Sequence, residues 1–150
     1  ANEDKVRVMT GLAWRSFGGR SAFHGQAVTV KCFEDNSRVK EILATPGEGR
    51  VLVVDGGGSL RMALIGDMIA EGAVQQGWSG VLIHGACRDV DELAKLDLGV
   101  VALGCVPQKS VRRGEGQRDI AVTFGGVTVQ PGEYVYVDNN GVVVSAEKLL

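Results

Sequence analysis

The sequence lacks the features that mark membrane, secreted and nucleic-acid-binding proteins. No apolar run among its 150 residues approaches the ~20 residues that a membrane-spanning helix needs, and Ala1–Lys5 do not resemble the apolar core of a signal peptide. The formal charge of −2, from 16 basic and 18 acidic residues, gives no long-range positive field that would hold a polyanion. We therefore expect a cytoplasmic protein that binds neither membranes nor nucleic acids directly.

Zinc sites and disulfide frameworks also lack support. The three cysteines, Cys32, Cys87 and Cys105, include no C-x-x-C pair, and His24 and His84 are too far apart for an H-x-x-x-H pair. Because each cysteine stands among apolar residues, we expect all three to be reduced and buried as small apolar side chains.

Basic residues cluster in one segment, between Pro107 and Asp119. The basic side chains of this cluster are Lys109, Arg112, Arg113 and Arg118. Glycines and acidic residues such as Glu115 interrupt it, as in a solvent-exposed segment. We interpret the cluster as a solvated loop in preference to a phosphate-binding patch.

Glycine, by contrast, is abundant: the chain has 22 glycines, about twice the usual share. They separate short apolar runs in which strands alternate with helices. The predicted strands are Ala27–Phe33, Val51–Val54, Gly80–His84 and Leu98–Leu103, and the predicted helices run from Asp35 or Asn36 to about Ala44, from about Gly66 to Gln76, and over Asp89–Leu96. This alternation implies parallel strands with right-handed crossovers, in a single domain covering residues 1–150.

The pattern changes after Pro107, where only short β runs occur. These runs are Ile120–Phe124, Val127–Val129, Tyr134–Val137 and Val142–Val144. Asn140–Gly141 is a strong hairpin signal between the last two. The sequence therefore predicts an α/β fold with a strand-rich C-terminal third, arranged as layers of sheet and helix.

Three consecutive glycines, Gly56–Gly58, follow the predicted strand Val51–Val54 and invite a dinucleotide-binding interpretation. The G-x-G-x-x-G spacing fails, because Arg61 stands where the third glycine is required. The motif also needs a helix that starts at the glycines, whereas the predicted helix begins near Gly66. A nucleotide or S-adenosylmethionine site is therefore disfavoured.

A more informative pattern joins the start of that helix to the end of the next strand. Free backbone N–H groups at Gly66–Ile69 favour a carboxylate. Twenty residues after Asp67, Arg88 offers a planar fork for a keto oxygen or carboxylate, and Asp89 offers a hard oxygen ligand for a divalent cation. The pattern suits a small 2-oxo acid and a metal, but Asp67 and Asp89 are also ordinary helix-start residues, and Arg88 can simply pair with a neighbouring carboxylate.

Several blocks in the same order resemble one known family, which holds regulator of ribonuclease activity A and the class II 4-hydroxy-4-methyl-2-oxoglutarate aldolases. The blocks are Phe17–Arg20, Lys31–Asn36, Val53–Ser59, Gly66–Asp67, Gly85–Val90, Phe124–Val127 and Tyr136–Gly141. The resemblance implies a layered α/β/β fold of the swivelling, phosphohistidine-domain-like type. It also implies a ring-shaped homotrimer with sites near the subunit interfaces.

The aldolase branch carries a D-x20-R-D pattern, which Asp67, Arg88 and Asp89 match. By that similarity Asp89 holds Mg²⁺ or Mn²⁺ with water in most other positions, and Arg88 binds the 2-oxo acid substrate. The backbone of Gly66, Asp67, Met68 and Ile69 holds the substrate carboxylate.

The chemistry that the resemblance implies is retro-aldol cleavage through a pyruvate enolate. The cation and Arg88 stabilise the negative oxygen, and a water polarised by the cation and oriented by Asp67 is the candidate base. Oxaloacetate decarboxylation passes through the same enolate and is expected as a side activity. No lysine lies within the motif for a Schiff base, in agreement with metal dependence.

Two other functions remain open. The regulator branch of the family inhibits ribonuclease E by protein contact, and both functions can coexist in one protein. Demethylmenaquinone methyltransferase is a further label of the family, which the failed glycine spacing disfavours.

The resemblance weakens at both ends of the sequence. The family's longer N-terminal helix with a Thr-x-x-Leu-x-Asp-like sequence has no counterpart after Ala1. Some aldolases have an extension that donates a carboxylate to a neighbouring subunit, and it likewise has no counterpart near Leu150. Where that acid is needed, we expect lower or redirected activity.

Overall fold

A computed structural model describes residues 6–150, in which twelve strands and three helices occur. The strands are β1 (Val6–Val8), β2 (Arg15–Ser16), β3 (Phe23–Lys31), β4 (Val51–Asp55), β5 (Ala63–Ile65), β6 (Gly80–Cys87), β7 (Gly99–Cys105), β8 (Gln117–Arg118), β9 (Val122–Phe124), β10 (Val127–Val129), β11 (Tyr134–Asp138) and β12 (Gly141–Ser145). The helices are α1 (Ser37–Leu43), α2 (Asp67–Gln75) and α3 (Val90–Leu93).

Four parallel strands form the centre of the fold, in the order β3, β4, β6, β7. Each crossover carries a helix: α1 follows β3, α2 follows β4 and β5, and α3 follows β6. Strand β3 is long enough to serve two layers, because its residues 23–26 pair with β11 and its residues 27–31 pair with β4. The antiparallel strands β11, β12 and β1 therefore continue directly from the parallel centre.

The alternation of side chains along the central strands separates two apolar cores. Leu52 and Val54 of β4 pack with the buried faces of α1 and α2, whereas Val51 and Val53 pack with β9–β12. All five residues of β4 are buried, as the continuous apolar run predicts for a strand covered on both faces. The helices, the parallel strands and the C-terminal strands are thus three layers, and the predicted α/β/β arrangement is confirmed.

The C-terminal strands also match the sequence pattern. Strands β11 and β12 form a tight antiparallel hairpin in which Asp138 pairs with Gly141, so the predicted hairpin is confirmed, with Asn139 and Asn140 as its turn residues.

The helix predicted over Asp89–Leu96 is much shorter than expected. Asp89 adopts a left-handed conformation with φ 59° and ψ 44°, which no α-helical residue can have. The helix therefore begins at Val90, and tight turns such as the bond from the Leu96 N–H to the Leu93 carbonyl close it. The preceding strand is longer than predicted, since β6 continues past His84 to Cys87.

The expectation of three buried cysteines is wrong for one of them. Cys32 and Cys87 are buried free thiols, and burial raises the pKa of each thiol to about 12, which keeps both protonated at neutral pH. Cys105 is exposed at the end of β7, where it is the last residue of the strand.

In the part of the chain that the structure describes, no helix has both the length and the apolar character needed to cross a membrane.

One aromatic ring requires glycine on two neighbouring strands. The Phe23 ring lies against the first residues of β6 and β7, and a Cβ added at Gly80 or Gly99 would be 2.3 Å or 2.0 Å from a ring carbon. Glycine at these two positions lets β3 cover the start of the parallel strands.

We predict that Gly99→Ala lowers the free energy of unfolding by about 1–3 kcal/mol, because the added methyl overpacks the core against Phe23. The matched control is Gly72→Ala in α2, where a Cβ meets nothing within 4 Å and should stabilise the helix by about 0.5–1 kcal/mol. Urea denaturation measures both changes. Equal effects of the two substitutions would contradict this packing account.

Candidate active site

Strand pairing brings the predicted site residues together at one edge of the sheet. Strand β5 runs parallel to the end of β6, with Ile65 opposite Cys87, and the Arg88 N–H donates to the Ile65 carbonyl at 3.0 Å. The residues that follow these strands, Gly66 on one side and Arg88 with Asp89 on the other, are therefore neighbours. The start of α2 and the Arg88–Asp89 pair form one cluster.

The carboxylate of Asp89 lies directly over the first turn of α2. Its Oδ2 accepts a hydrogen bond from the Asp67 N–H at 3.0 Å and lies 3.7 Å from Arg88 Nη1. Aspartate tolerates the left-handed backbone better than most residues, yet such conformations persist only where the surroundings hold them. The bond to α2 is one contact that holds Asp89 in place.

The lack of a side chain at Gly66 is what admits these two groups. A Cβ at this position would lie 2.6 Å from Asp89 Oδ2 and 3.0 Å from Arg88 Nε. We predicted that Gly66 opens the backbone to a substrate carboxylate; what the structure shows is that Gly66 makes room for the side chains of Arg88 and Asp89. Asp89 occupies the Asp67 amide, whereas the amides of Gly66, Met68 and Ile69 have no acceptor among residues 6–150.

A pocket of about 390 Å³ opens beside this cluster. Its lining residues are Asn36, Lys40, Leu43, Ala44, Gly66, Met68, Ile69, Gly72, Arg88, Lys109, Ser110 and Arg112. Asp67 and Asp89 are outside this lining. Asp89 instead lines an adjoining pocket of about 240 Å³ together with Cys105. Arg88 borders both pockets and so links the carboxylates to the larger one.

The larger pocket is lined by four cationic side chains and no carboxylate. Besides Arg88 these are Lys40, Lys109 and Arg112, none of which we predicted as site residues. Lys109 and Arg112 belong to the basic cluster interpreted as a solvated loop. Both are exposed, in agreement with that interpretation, and the structure adds that they border this pocket. Arg118 of the same cluster is also exposed and lies 3.3 Å from Asp119.

Backbone pairing explains why part of the basic cluster turns toward the pocket. Lys109 forms a bridge to Ala63 of β5, with the Ala63 N–H donating to the Gln108 carbonyl at 2.8 Å and the Ser110 N–H donating to the Ala63 carbonyl at 3.2 Å. The segment is therefore tied to the strand that leads into Gly66. A run of charges in a sequence does not reveal such a tie.

Two buried polar residues before α1 fix the rest of the segment. Asn36 donates from Nδ2 to the Leu64 carbonyl, and its Oδ1 accepts from Arg112 Nε at 3.2 Å. The carboxylate of Asp35 accepts hydrogen bonds from backbone amides on both sides, including those of Ser37 at 2.9 Å and Arg113 at 2.8 Å. Asp35 is thus the residue that caps α1, whereas Asn36 holds Arg112.

The environment of Asp35 keeps it ionised. Burial by itself raises the pKa of a carboxyl group, but the hydrogen bonds from Ser37 and from the Arg113 and Glu115 amides outweigh burial and lower the pKa of Asp35 below its ordinary value. An unfolded aspartate has a pKa of about 3.9. The charge therefore stabilises the fold above about pH 4, and this contribution is lost as the pH falls through the folded-state pKa.

We predict that Asp35→Asn lowers the free energy of unfolding by about 2–3 kcal/mol at pH 7, because an amide cannot accept all of these bonds. The difference from the unsubstituted protein should shrink below about pH 4. Denaturant unfolding at several pH values measures it, with the exposed Asp119→Asn as control, for which we expect about 0.5 kcal/mol or less. Equal losses in the two variants, or a loss that persists unchanged to pH 3, would refute the role of Asp35.

The carboxylates of the cluster suit a hard cation that keeps most of its water. About 29% of the Asp89 side chain is exposed, and only its Oδ2 accepts the amide of Asp67. Among residues 6–150 no group of three or more His, Cys, Asp or Glu side chains forms a metal cage. Mg²⁺ is commonly bound through one or two carboxylates plus waters, so the donor set is compatible with Mg²⁺ or Mn²⁺ and incompatible with structural zinc.

Known proteins resemble this chain over nearly its whole length. A sequence model of the RraA-like family, described as Aldolase/RraA, matches residues 4–144. A protein of Alcanivorax borkumensis assigned as a 4-hydroxy-4-methyl-2-oxoglutarate aldolase is 69% identical over 149 residues, which cover 99% of this chain and 93% of that protein.

Two solved structures share the fold closely. The first, described as an S-adenosylmethionine: 2-dimethylmenaquinone methyltransferase from Geobacillus kaustophilus, has a TM-score of 0.95 and 47% identity over 97% of this chain and 90% of that one. The second, described as the RNA-processing inhibitor RraA from Thermus thermophilus, has a TM-score of 0.94 and 40% identity over 99% of this chain and 90% of that one.

Proposed function

Because the chain belongs to the RraA-like family of aldolases and RraA proteins, we propose that it is a divalent-metal-dependent aldolase that cleaves 4-hydroxy-4-methyl-2-oxoglutarate to pyruvate. The observation that carries the proposal is the convergence of the α2 start, Arg88 and Asp89 beside one cationic pocket. These groups are the ones that a 2-oxo acid and a hard cation need.

Substrate binding uses the free amides of α2. The C1 carboxylate accepts hydrogen bonds from the Met68 and Ile69 amides, where the positive end of the nine-residue helix favours an anion. Arg88 donates to the C2 keto oxygen. The substrate is thereby oriented with its C3–C4 bond away from the helix.

Cleavage breaks the C3–C4 bond and leaves its electron pair on the C3 side. The C4 hydroxyl proton passes to a water that Asp67 orients, so that C4 becomes the keto carbon of one pyruvate. The other product is a pyruvate enolate, whose negative C2 oxygen Arg88 stabilises until C3 takes up a proton. Asp89 would hold a divalent cation, which would supply Lewis-acid stabilisation of the same developing charge. Oxaloacetate, which loses CO₂ to give this enolate, is the expected second substrate.

Two lysines at the pocket raise the alternative of Schiff-base chemistry. Lys40 and Lys109 line the pocket, but both are exposed residues. A Schiff-base lysine is commonly activated by desolvation in an apolar pocket, and an exposed lysine is not desolvated. The two lysines therefore contribute charge to the pocket rather than a nucleophile.

We predict metal-dependent release of pyruvate from 4-hydroxy-4-methyl-2-oxoglutarate and from oxaloacetate, measured with lactate dehydrogenase. Asp89→Asn should lower kcat/KM by about 10²-fold or more, because it removes the charge while asparagine tolerates the left-handed backbone. The matched control is Asp91→Asn, an exposed carboxylate in the first turn of α3 that should leave kcat/KM within about twofold.

Treatment with a chelator and treatment with borohydride distinguish metal-dependent cleavage from Schiff-base chemistry. A chelator should abolish pyruvate release, and added Mg²⁺ or Mn²⁺ should restore it. Borohydride added with pyruvate should leave the mass of the protein unchanged. Activity that survives both the chelator and Asp89→Asn, or covalent trapping of pyruvate on Lys40 or Lys109, would overturn the metal-dependent mechanism.

A second candidate function is inhibition of ribonuclease E. The Thermus structure, 40% identical to this chain, is described as an RNA-processing inhibitor. The same family membership supports a ring-shaped homotrimer, which would present a regulator surface three times and would place the sites near subunit interfaces. A regulator has no chemical need for Arg88 and Asp89, which is why aldolase activity is the primary proposal.

The regulator candidate predicts that the protein co-purifies with ribonuclease E and stops RNA cleavage in a reconstituted assay. A ribonuclease of another class should remain fully active in the same mixture. If no complex forms at micromolar concentrations of both proteins, the regulator candidate fails.

Methyl transfer is not supported by the glycine loop. Gly57 and Gly58 have positive φ angles of 68° and 73°, and the amides of Gly56 and Gly58 donate to the His84 carbonyl. The loop therefore makes a turn that folds back on the end of β6 and leads into β5. A dinucleotide or S-adenosylmethionine fingerprint instead opens a helix whose free amides face the ligand.

A further inference from the structure

We propose that Lys40, Lys109 and Arg112 form a second carboxylate subsite that makes the pocket selective for dicarboxylic 2-oxo acids. This inference rests on the function proposed above and adds the residues that choose among substrates. Arg88 and the α2 amides take the 2-oxo acid end of the ligand, and the three further cations take the distal carboxylate.

The charge of the lining is the first observation. Four cationic side chains border the pocket without any carboxylate in its lining, and Lys40, Lys109 and Arg112 form no ion pair within residues 6–150. Like charges held together repel each other, and an anion of matching charge relieves that repulsion. A ligand with a single carboxylate, already bound at the α2 amides, leaves these cations uncompensated.

The support behind Arg112 is the second observation. Asn36, only 5% exposed, uses its Oδ1 to accept Arg112 Nε at 3.2 Å. The backbone N–H of Asn36 donates to Ser110 Oγ at 3.0 Å, so the pocket wall is fixed by buried hydrogen bonds. One edge of the guanidinium is occupied by a neutral partner, which leaves its terminal N–H groups for an anion.

The placement of the three cations on separate segments is the third observation. Lys40 lies on α1, Lys109 is fixed to β5 by the bridge to Ala63, and Arg112 is fixed to the start of α1 by Asn36. Segments that are remote in the sequence thus contribute to one surface. The expected ligand is a 2-oxo acid with a carboxylate at its far end.

The test compares two ligands of equal chain length, 2-oxoglutarate and 2-oxopentanoate, by titration calorimetry in the presence of Mg²⁺. The unsubstituted protein should bind 2-oxoglutarate about tenfold more tightly or better. Arg112→Gln should reduce the affinity for 2-oxoglutarate about tenfold more than the affinity for 2-oxopentanoate. Arg112→Lys, which keeps the charge, should restore most of the preference.

Arg113→Gln is the matched control, because Arg113 is the next basic residue of the segment and is outside the pocket lining. It should leave the ratio of the two affinities within about twofold. Equal affinities for the two ligands in the unsubstituted protein, or equal losses in Arg112→Gln and Arg113→Gln, would overturn the subsite. Displacement of 2-oxoglutarate by inorganic phosphate at lower concentration than by glutarate would also overturn it, in favour of a phosphate site.

The binding readout separates this inference from the proposed reaction. If no substrate releases pyruvate while the calorimetric preference and its loss in Arg112→Gln are found, the aldolase proposal fails and the subsite stands. If pyruvate is released but Arg112→Gln does not raise the KM for the dicarboxylic substrate by a larger factor than it lowers kcat, the subsite fails and the aldolase proposal stands.

Discussion

The pairing of β5 with the end of β6 is the constraint on which the site depends. This short parallel contact places Gly66 beside Arg88, so that the start of α2 meets residues that follow a different strand. The hydrogen bond from the Asp67 amide to Asp89 then fixes the carboxylate over the helix. A shift of β5 by one residue would turn its side chains to the opposite faces of the sheet and would separate these groups.

A second set of buried polar contacts shapes the pocket opposite this cluster. Asp35 and Asn36 are almost fully buried, and most of their hydrogen bonds go to chain segments remote in the sequence. Buried polar groups without partners are costly, so residues of this kind specify one arrangement of the chain. Here they hold the basic segment against α1 and β5, and the pocket acquires its positive lining as a result.

Much of the fold follows from patterns that a sequence shows directly. The continuous apolar run of β4 predicts a strand buried on both faces, and Asn140–Gly141 predicts the β11–β12 hairpin, because both depend on local chemistry. The spacing of Asp67, Arg88 and Asp89 likewise indicates one site, since helix starts and strand ends meet at the same edge of a parallel sheet.

Other features depend on tertiary contacts that no local pattern encodes. The left-handed backbone of Asp89 shortens α3, and the exposure of Cys105 follows from its place at the end of β7. The pocket lysine Lys109 belongs to a charge cluster whose composition is typical of a solvated loop. Its backbone bridge to Ala63 places it beside the site, and a bridge between remote residues has no sequence signal.

The central claim is that the α2 start, Arg88 and Asp89 form a single metal and 2-oxo acid site. The most direct measurement is a crystal structure with Mn²⁺ and pyruvate, using anomalous scattering to locate the metal. We expect a manganese peak beside the Asp89 carboxylate and a pyruvate whose carboxylate contacts the Met68 and Ile69 amides while its keto oxygen faces Arg88. Manganese bound away from Asp89, or pyruvate bound away from Arg88, would contradict it.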